Sequence, residues 1–172
     1  PRGTLRDLPI ESRRANTVVV TKCPPGMQPI DRRIVNNQLM LPSYQHLCYS
    51  SIAYGEVELP GTPLLVAGIA NPKPLLEYLK KQYPKTTLME YRDHHAFSHR
   101  DVQKILKLAE QFDCVVTTEK DYMRMQQTSL VQQLGKKLIV VPIKTDFGED
   151  KETFDRAVML YVAENNRQKN TP

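Results

Sequence analysis

Thr86-Thr87-Leu88-Met89-Glu90-Tyr91-Arg92-Asp93-His94-His95-Ala96-Phe97-Ser98-His99 is the stretch on which the fold turns. Its first six residues have the length and apolar content of a strand. Beyond it, Val102, Ile105, Leu106, Ala109 and Phe112 fall on one helical face. Ser98 followed three residues later by Asp101 resembles a capping box, hydroxyl and carboxylate satisfying amide donors at a helix start. The segment therefore reads as strand, loop and helix in succession. Its loop holds Asp93 and three of the four histidines of the chain, in the place where open α/β proteins build their sites.

The same rhythm runs to either side. Strand-length apolar runs at 17–21, 47–54, 64–67, Cys114–Thr118 and 138–143 alternate with helical patterns, one of them carrying Leu75, Leu76, Leu79 and Tyr83 on a single face. That alternation predicts an α/β fold with a largely parallel sheet. Two stretches interrupt it, 46–61 with its Pro60-Gly61 end and 136–148 ending in Gly148, and together they suggest a two-stranded β-linker. The predicted organisation is thus a compact α/β lobe at 62–135 flanked by linker strands at 46–61 and 136–148. Residues 1–45 read as the remnant of a second lobe, and 149–172 as a helix that packs on it through Phe154, Val158, Tyr161 and Val162.

The 24 Lys+Arg against 19 Asp+Glu leave a net charge of +5, which favours anionic partners. Basic residues occur as pairs interleaved with acids, without the stripe or aromatic interleaving of an RNA-binding surface, so no nucleic-acid partner is expected. The three cysteines show no CxxC spacing, and neither a disulfide framework nor a zinc site is suggested. No apolar run approaches the roughly 20 residues a membrane span needs, and the chain is expected to be soluble. It begins Pro1-Arg2-Gly3 without an initiator methionine, as a processed or excised piece would.

Four motifs carry possible chemistry. In the Asp93-His94-His95 loop, a carboxylate beside an imidazole suits proton transfer at a hydroxyl, or metal ligation, or simply a polar loop that caps the next helix. Thr17–Lys22 is a β-branched strand ending in Thr21-Lys22, a strand end at which phosphate-loop nucleotidases often meet the base. Cys23 and Pro24 follow without the aspartate that selects guanine, which leaves adenine as the natural ligand or an ordinary strand end. A buried strand ending in Thr118-Glu119-Lys120-Asp121 can deliver a lysine to a phosphate, or can be a solvated helix start. The segment Pro1–Pro9 sets Arg2 and Arg6 in a proline-bracketed loop, where a guanidinium fork can grip phosphate. No glycine-rich phosphate loop is present.

In this order, Leu5-Arg6-Asp7, Val18–Lys22, Gly68-Ile69-Ala70-Asn71-Pro72, Asp93-His94-His95-Ala96-Phe97 and Thr118-Glu119-Lys120-Asp121 resemble the tetraacyldisaccharide 4'-kinase family of lipid A biosynthesis, in its C-terminal portion. The resemblance implies three-layer α/β/α lobes joined by a two-stranded β-linker, the first lobe akin to phosphate-loop nucleotidases. It implies transfer of the γ-phosphate of ATP, with Mg²⁺, to the 4'-hydroxyl of a lipid disaccharide 1-phosphate at the cytoplasmic face of the bacterial inner membrane. The phosphate loop, the Mg²⁺ carboxylates, the catalytic aspartate and the membrane anchor would then lie upstream of Pro1, and the segment alone would transfer nothing. By the same resemblance His94 is catalytic, with Asp93 and His95 in support. Thr21 and Lys22 lie near the nucleotide, Arg6, Glu119 and Lys120 face substrate or the interlobe region, and no metal is held by this segment. The competing expectations are a metal-dependent phosphoesterase built on Asp-His-His and a non-catalytic α/β module.

Overall fold

A computed structural model describes residues 9–169; Arg6 and its neighbours lie outside the described residues. The elements in chain order begin with β1 (Thr17–Cys23), α1 (Pro29–Leu39), β2 (His46–Tyr54), β3 (Pro63–Ala67), α2 (Lys73–Gln82), β4 (Thr87–Glu90) and α3 (His99–Ala109). They continue with β5 (Cys114–Thr118), α4 (Glu119–Met125), α5 (Leu130–Leu134), β6 (Leu138–Val141), β7 (Ile143–Asp146) and α6 (Lys151–Lys169). The chain divides into two compact units, one taking in the described residues up to Ala53 and from Thr145 onward, the other Tyr54–Lys144.

The second unit is a three-layer α/β/α sandwich. Its sheet has the order β4-β3-β5-β6, with every neighbouring pair parallel. Because side chains alternate across a strand, each strand feeds two cores. Leu64, Val66 and Val115 point into one, with Val102, Ile105 and Ala109 of α3, Met125 of α4, and Leu130 and Leu134 of α5. Leu65, Ala67, Cys114 and Val116 point into the other, closed by Leu59 and by Leu75 and Leu79 of α2. Burial on both faces explains why β3 and β5 are uninterrupted apolar or threonine runs.

The first unit is built on a three-stranded sheet of order β1-β2-β7. β1 runs parallel to β2 until a register shift between Val20 and Cys23, where β1 carries one extra residue and Lys22 takes a left-handed conformation at φ 60°. Arg32 of α1 and Asp150, just before α6, are joined at 3.1 Å, and Asp150 Oδ2 also accepts the Tyr49 amide of β2 at 2.9 Å. These bonds tie together the segments that precede Tyr54 and follow Lys144.

Two details differ from the pattern predicted above. The run at 138–143 is not one linker strand: Pro142 lacks an amide donor, so the ladder breaks there. Leu138–Val141 closes the edge of the four-stranded sheet, whereas Ile143–Asp146 joins the sheet of the first unit. β2, likewise, is the middle strand of a three-stranded sheet. The start of α6 is anchored through a Phe147 and Phe154 stack at 4.1 Å. Val158, Tyr161 and Val162 are exposed because nothing among the described residues lies over them.

Candidate functional site

In the second unit β3 lies between β4 and β5, so the chain leaves β3 toward one side and returns to the other. Crevices at such a switch point, beyond the carboxyl ends of the strands, are where doubly wound sheets bind ligands. Three loops converge here: Gly68–Pro72 after β3, Tyr91–Ser98 after β4, and the Thr118–Asp121 turn after β5.

Asp93, His94 and Lys120 form the exposed part of the site. Lys120 Nζ donates to Asp93 Oδ1 at 3.1 Å and sits 3.4 Å from His94 Nε2, and the same Oδ1 accepts the His94 amide at 3.0 Å. The ammonium bond is the main reason the Asp93 carboxyl is held below its ordinary range, with the nearby His94 adding to it. His94 has φ 59°, a left-handed conformation that histidine adopts more readily than most residues yet still at a cost. Its side chain is 76% exposed, so the backbone turn serves to present an imidazole to solvent.

His95 faces the opposite way. Its ring stacks on Tyr91 at 4.6 Å and meets Phe97 edge to face, while Nε2 lies 3.0 Å from Asp101 Oδ2. Asp101 is the N3 residue of the capping box on Ser98, with Ser98 Oγ and N both donating to its Oδ2. Those bonds, the Ser98 hydroxyl first, draw the Asp101 carboxyl down to about 2. Burial, helped by Asp101's charge, pushes the Tyr91 phenol up to about 12. His95 is thus an anchor for the loop.

Of the residues that hold the three loops together, Gly68 and Asp121 stand in motifs quoted above, whereas Arg124 stands in none. Asp121 is fully buried, accepting the Gly68 amide at 3.0 Å and the Thr118 hydroxyl at 2.9 Å on Oδ2, and Arg124 Nη2 at 2.6 Å on Oδ1. Arg124 also donates to the carbonyls of Gly68 and His95. One guanidinium therefore joins all three strand ends. Gly68 leaves room for this clasp, since a Cβ there would stand 3.2 Å from Asp121 Oδ1 and 3.3 Å from the Arg92 carbonyl. The spacing of Asp121 and Arg124, three residues apart on a helix, was the available signal. Asp121 is accordingly no solvated helix-start residue.

Glu119 and Lys120 part company. Lys120 joins Asp93 and His94, whereas Glu119 Oε2 accepts the Ile143 amide at 3.3 Å and so fastens the β6–β7 connection. In this structure the ammonium of Lys120 is shared between the Asp93 carboxylate and the His94 ring.

In the first unit Thr21 and Lys22 are exposed. The residues after them open a cavity of about 310 Å³ lined by Cys23, Pro24, Met27, Arg32, Tyr49 and Phe147 among others. Arg32 lies 4.8 Å over the Tyr49 ring and pairs with Glu149 and Asp150, yet its buried Nε has no hydrogen-bond partner among the described residues. Among the described residues no group of three or more His, Cys, Asp or Glu side chains is placed to hold a metal ion.

A family model described as Tetraacyldisaccharide-1-P 4'-kinase matches residues 1–162. A Tetraacyldisaccharide 4'-kinase of Bacteroides thetaiotaomicron is 35% identical over 97% of this chain and 51% of its own length. Those of Flavobacterium johnsoniae and Parabacteroides distasonis are each 35% identical, over 96% and 100% of this chain and 50% and 52% of their own lengths. The chain spans about half the length of the curated relatives it matches.

Proposed function

The chain belongs to the tetraacyldisaccharide-1-P 4'-kinase family, and on that footing we propose that it is the portion of an ATP-dependent lipid kinase that brings a histidine to the acceptor hydroxyl. The acceptor is the 4'-hydroxyl of a tetraacyldisaccharide 1-phosphate. The observation that carries the reading is His94, an exposed imidazole on a left-handed turn at the switch point, flanked by an ionised carboxylate and an ammonium.

Phosphoryl transfer asks a protein chiefly for positioning and for charge stabilisation. In this chain the Asp121–Arg124 clasp fixes the three strand ends, His95 and Asp101 pin the loop from below, and Asp93 with Lys120 holds the turn that presents His94. His94 is then the group that hydrogen-bonds a carboxylate or hydroxyl entering the crevice. ATP supplies the phosphoryl group. The adenine is assigned to the cavity that opens after Thr21 and Lys22, a reading supported by the walls that Pro24, Met27 and Phe147 give it. The described residues offer no three-carboxylate or imidazole cluster for Mg²⁺, so no step on this chain is assigned to the ion. The phosphate loop and metal ligands belong, in this reading, to the part of the protein outside these residues.

No helix of the described residues is long and apolar enough to cross a membrane. The acyl chains of the proposed substrate nevertheless require a lipid surface, which supports a peripheral placement at the cytoplasmic face of the inner membrane, made through the part outside these residues.

The test is ATP-dependent phosphorylation of tetraacyldisaccharide 1-phosphate by the longer protein that contains this chain. His94→Ala is expected to lower transfer at least about 100-fold, the usual scale for an acid–base contributor. Transfer at the parent rate in that variant would remove the role of the loop.

A further inference from the structure

Lys120 stands between the two groups that define the exposed turn. Its ammonium carries three N–H donors and no acceptor, so every atom it meets must accept. Asp93 Oδ1, 3.1 Å away, does so. His94 Nε2, at 3.4 Å, meets the same ammonium, and it can accept only with its lone pair free. Asp93 Oδ2 lies 3.6 Å from that nitrogen, beyond hydrogen-bond reach, so an Nε2–H would find a poor acceptor and a facing cation.

We infer that Lys120 is a positioning residue that sets the tautomer of His94, favouring the form with its proton on Nδ1 and its lone pair on Nε2. The two ring nitrogens of a histidine are distinct, and the bond made by one decides what the other offers. With Nε2 beside an ammonium, His94 offers a donor at Nδ1. A donor edge suits an oxygen acceptor entering the crevice, the contact proposed above for His94. Lys120 thus acts on the reaction through His94 and Asp93 without touching the phosphoryl group.

The inference deepens the kinase reading by naming what orients its histidine, but its test reads the ring directly and gives a result whether or not phosphate is transferred. Ring ¹⁵N shifts of His94, at a pH where the ring is neutral, are measured in the parent, in Lys120→Met and in Lys120→Arg. Lys120 is half exposed, and both replacements keep its stem. The expected result is a protonated Nδ1 and bare Nε2 in the parent, a shift of the population toward Nε2–H in Lys120→Met, and restoration in Lys120→Arg. A parent ring protonated on Nε2 overturns the inference without any variant. So does a tautomer that is the same in the parent and in Lys120→Met.

Discussion

Arg124 Nη2 lies 2.6 Å from Oδ1 of Asp121, a carboxylate with no exposed surface, and the same guanidinium reaches the carbonyls of Gly68 and His95. Removing one partner of a buried ion pair strands the other, at a cost of about 3–5 kcal/mol. Arg124→Met is therefore expected to lower unfolding free energy by about that amount in urea titration. Arg124→Lys is expected to recover little, because a point ammonium cannot serve three acceptors held by a planar fork. A loss below about 1 kcal/mol in Arg124→Met would show that the clasp is dispensable.

Gly68 tests the same clasp from its other side. Gly68→Ala places a methyl 3.2 Å from Asp121 Oδ1 and 3.3 Å from the Arg92 carbonyl, both fixed groups. Overpacking of this kind costs typically about 1–3 kcal/mol. The expected outcome is a lower melting temperature together with shifted amide resonances at Arg92–His95; an unchanged spectrum there would mean that the loop has slack.

Asp101 makes stability depend on acid. Its folded pKa of about 2 lies below the ordinary carboxylate value, so the stability it contributes is present above about 4 and disappears as pH falls through 2. The amount is on the order of 2 kcal/mol. Between pH of about 4 and 2 the parent is expected to lose stability faster than Asp101→Asn, which carries no titrating group there. Parallel acid curves for the two proteins would remove the effect.

The left-handed turn at His94 predicts an ordering of variants. Alanine keeps a Cβ in that conformation, whereas glycine does not feel it, a difference of about 1 kcal/mol after glycine's greater chain entropy is allowed for. His94→Gly is expected to be more stable than His94→Ala by about that amount in denaturant melts, although neither retains the imidazole. Alanine being the more stable of the two would show that the turn is not held at positive φ.

In the first unit Asp150 accepts the Tyr49 amide and the Arg32 guanidinium with one oxygen. Asp150→Ala is expected to speed hydrogen exchange at the Tyr49 amide by tenfold or more, about 1.4 kcal/mol or above, within the worth of a hydrogen bond to a charged group. Amides of β5, which belongs to the second unit, serve as the unchanged control. Equal protection of Tyr49 in both proteins would mean that the strand holds without this carboxylate.

How much of this was legible in the residues depended on whether the signal was local. The alternation around Thr86–His99, the capping box at Ser98 and Asp101, and the apolar runs of β3 and β5 are local, and the α/β class with a mostly parallel sheet followed from them. Asp93 and His94 stood out because rare side chains crowd one loop. The spacing of Arg124 from Asp121 hinted at their pairing, but its bonds to the Gly68 and His95 carbonyls were not legible, since nothing in a pattern of side chains states where a carbonyl will be. The break at Pro142 was readable but overridden by the apolar run around it; proline's missing donor decided the sheet change.

The second unit is a continuous segment, Tyr54–Lys144, set into a first unit that needs both flanking pieces. A ribosome therefore completes the inserted unit while the host unit still waits for the end of β7 and for α6. Throughout that interval β2, the central strand of its sheet, is paired on one side only, with β1. An unpaired strand edge on a nascent chain is a template for wrong partners. The order of emergence thus makes the side of β2 awaiting β7 the place where newly made copies of this protein are most exposed to mispairing, and where slower translation past Thr145 would lengthen the risk.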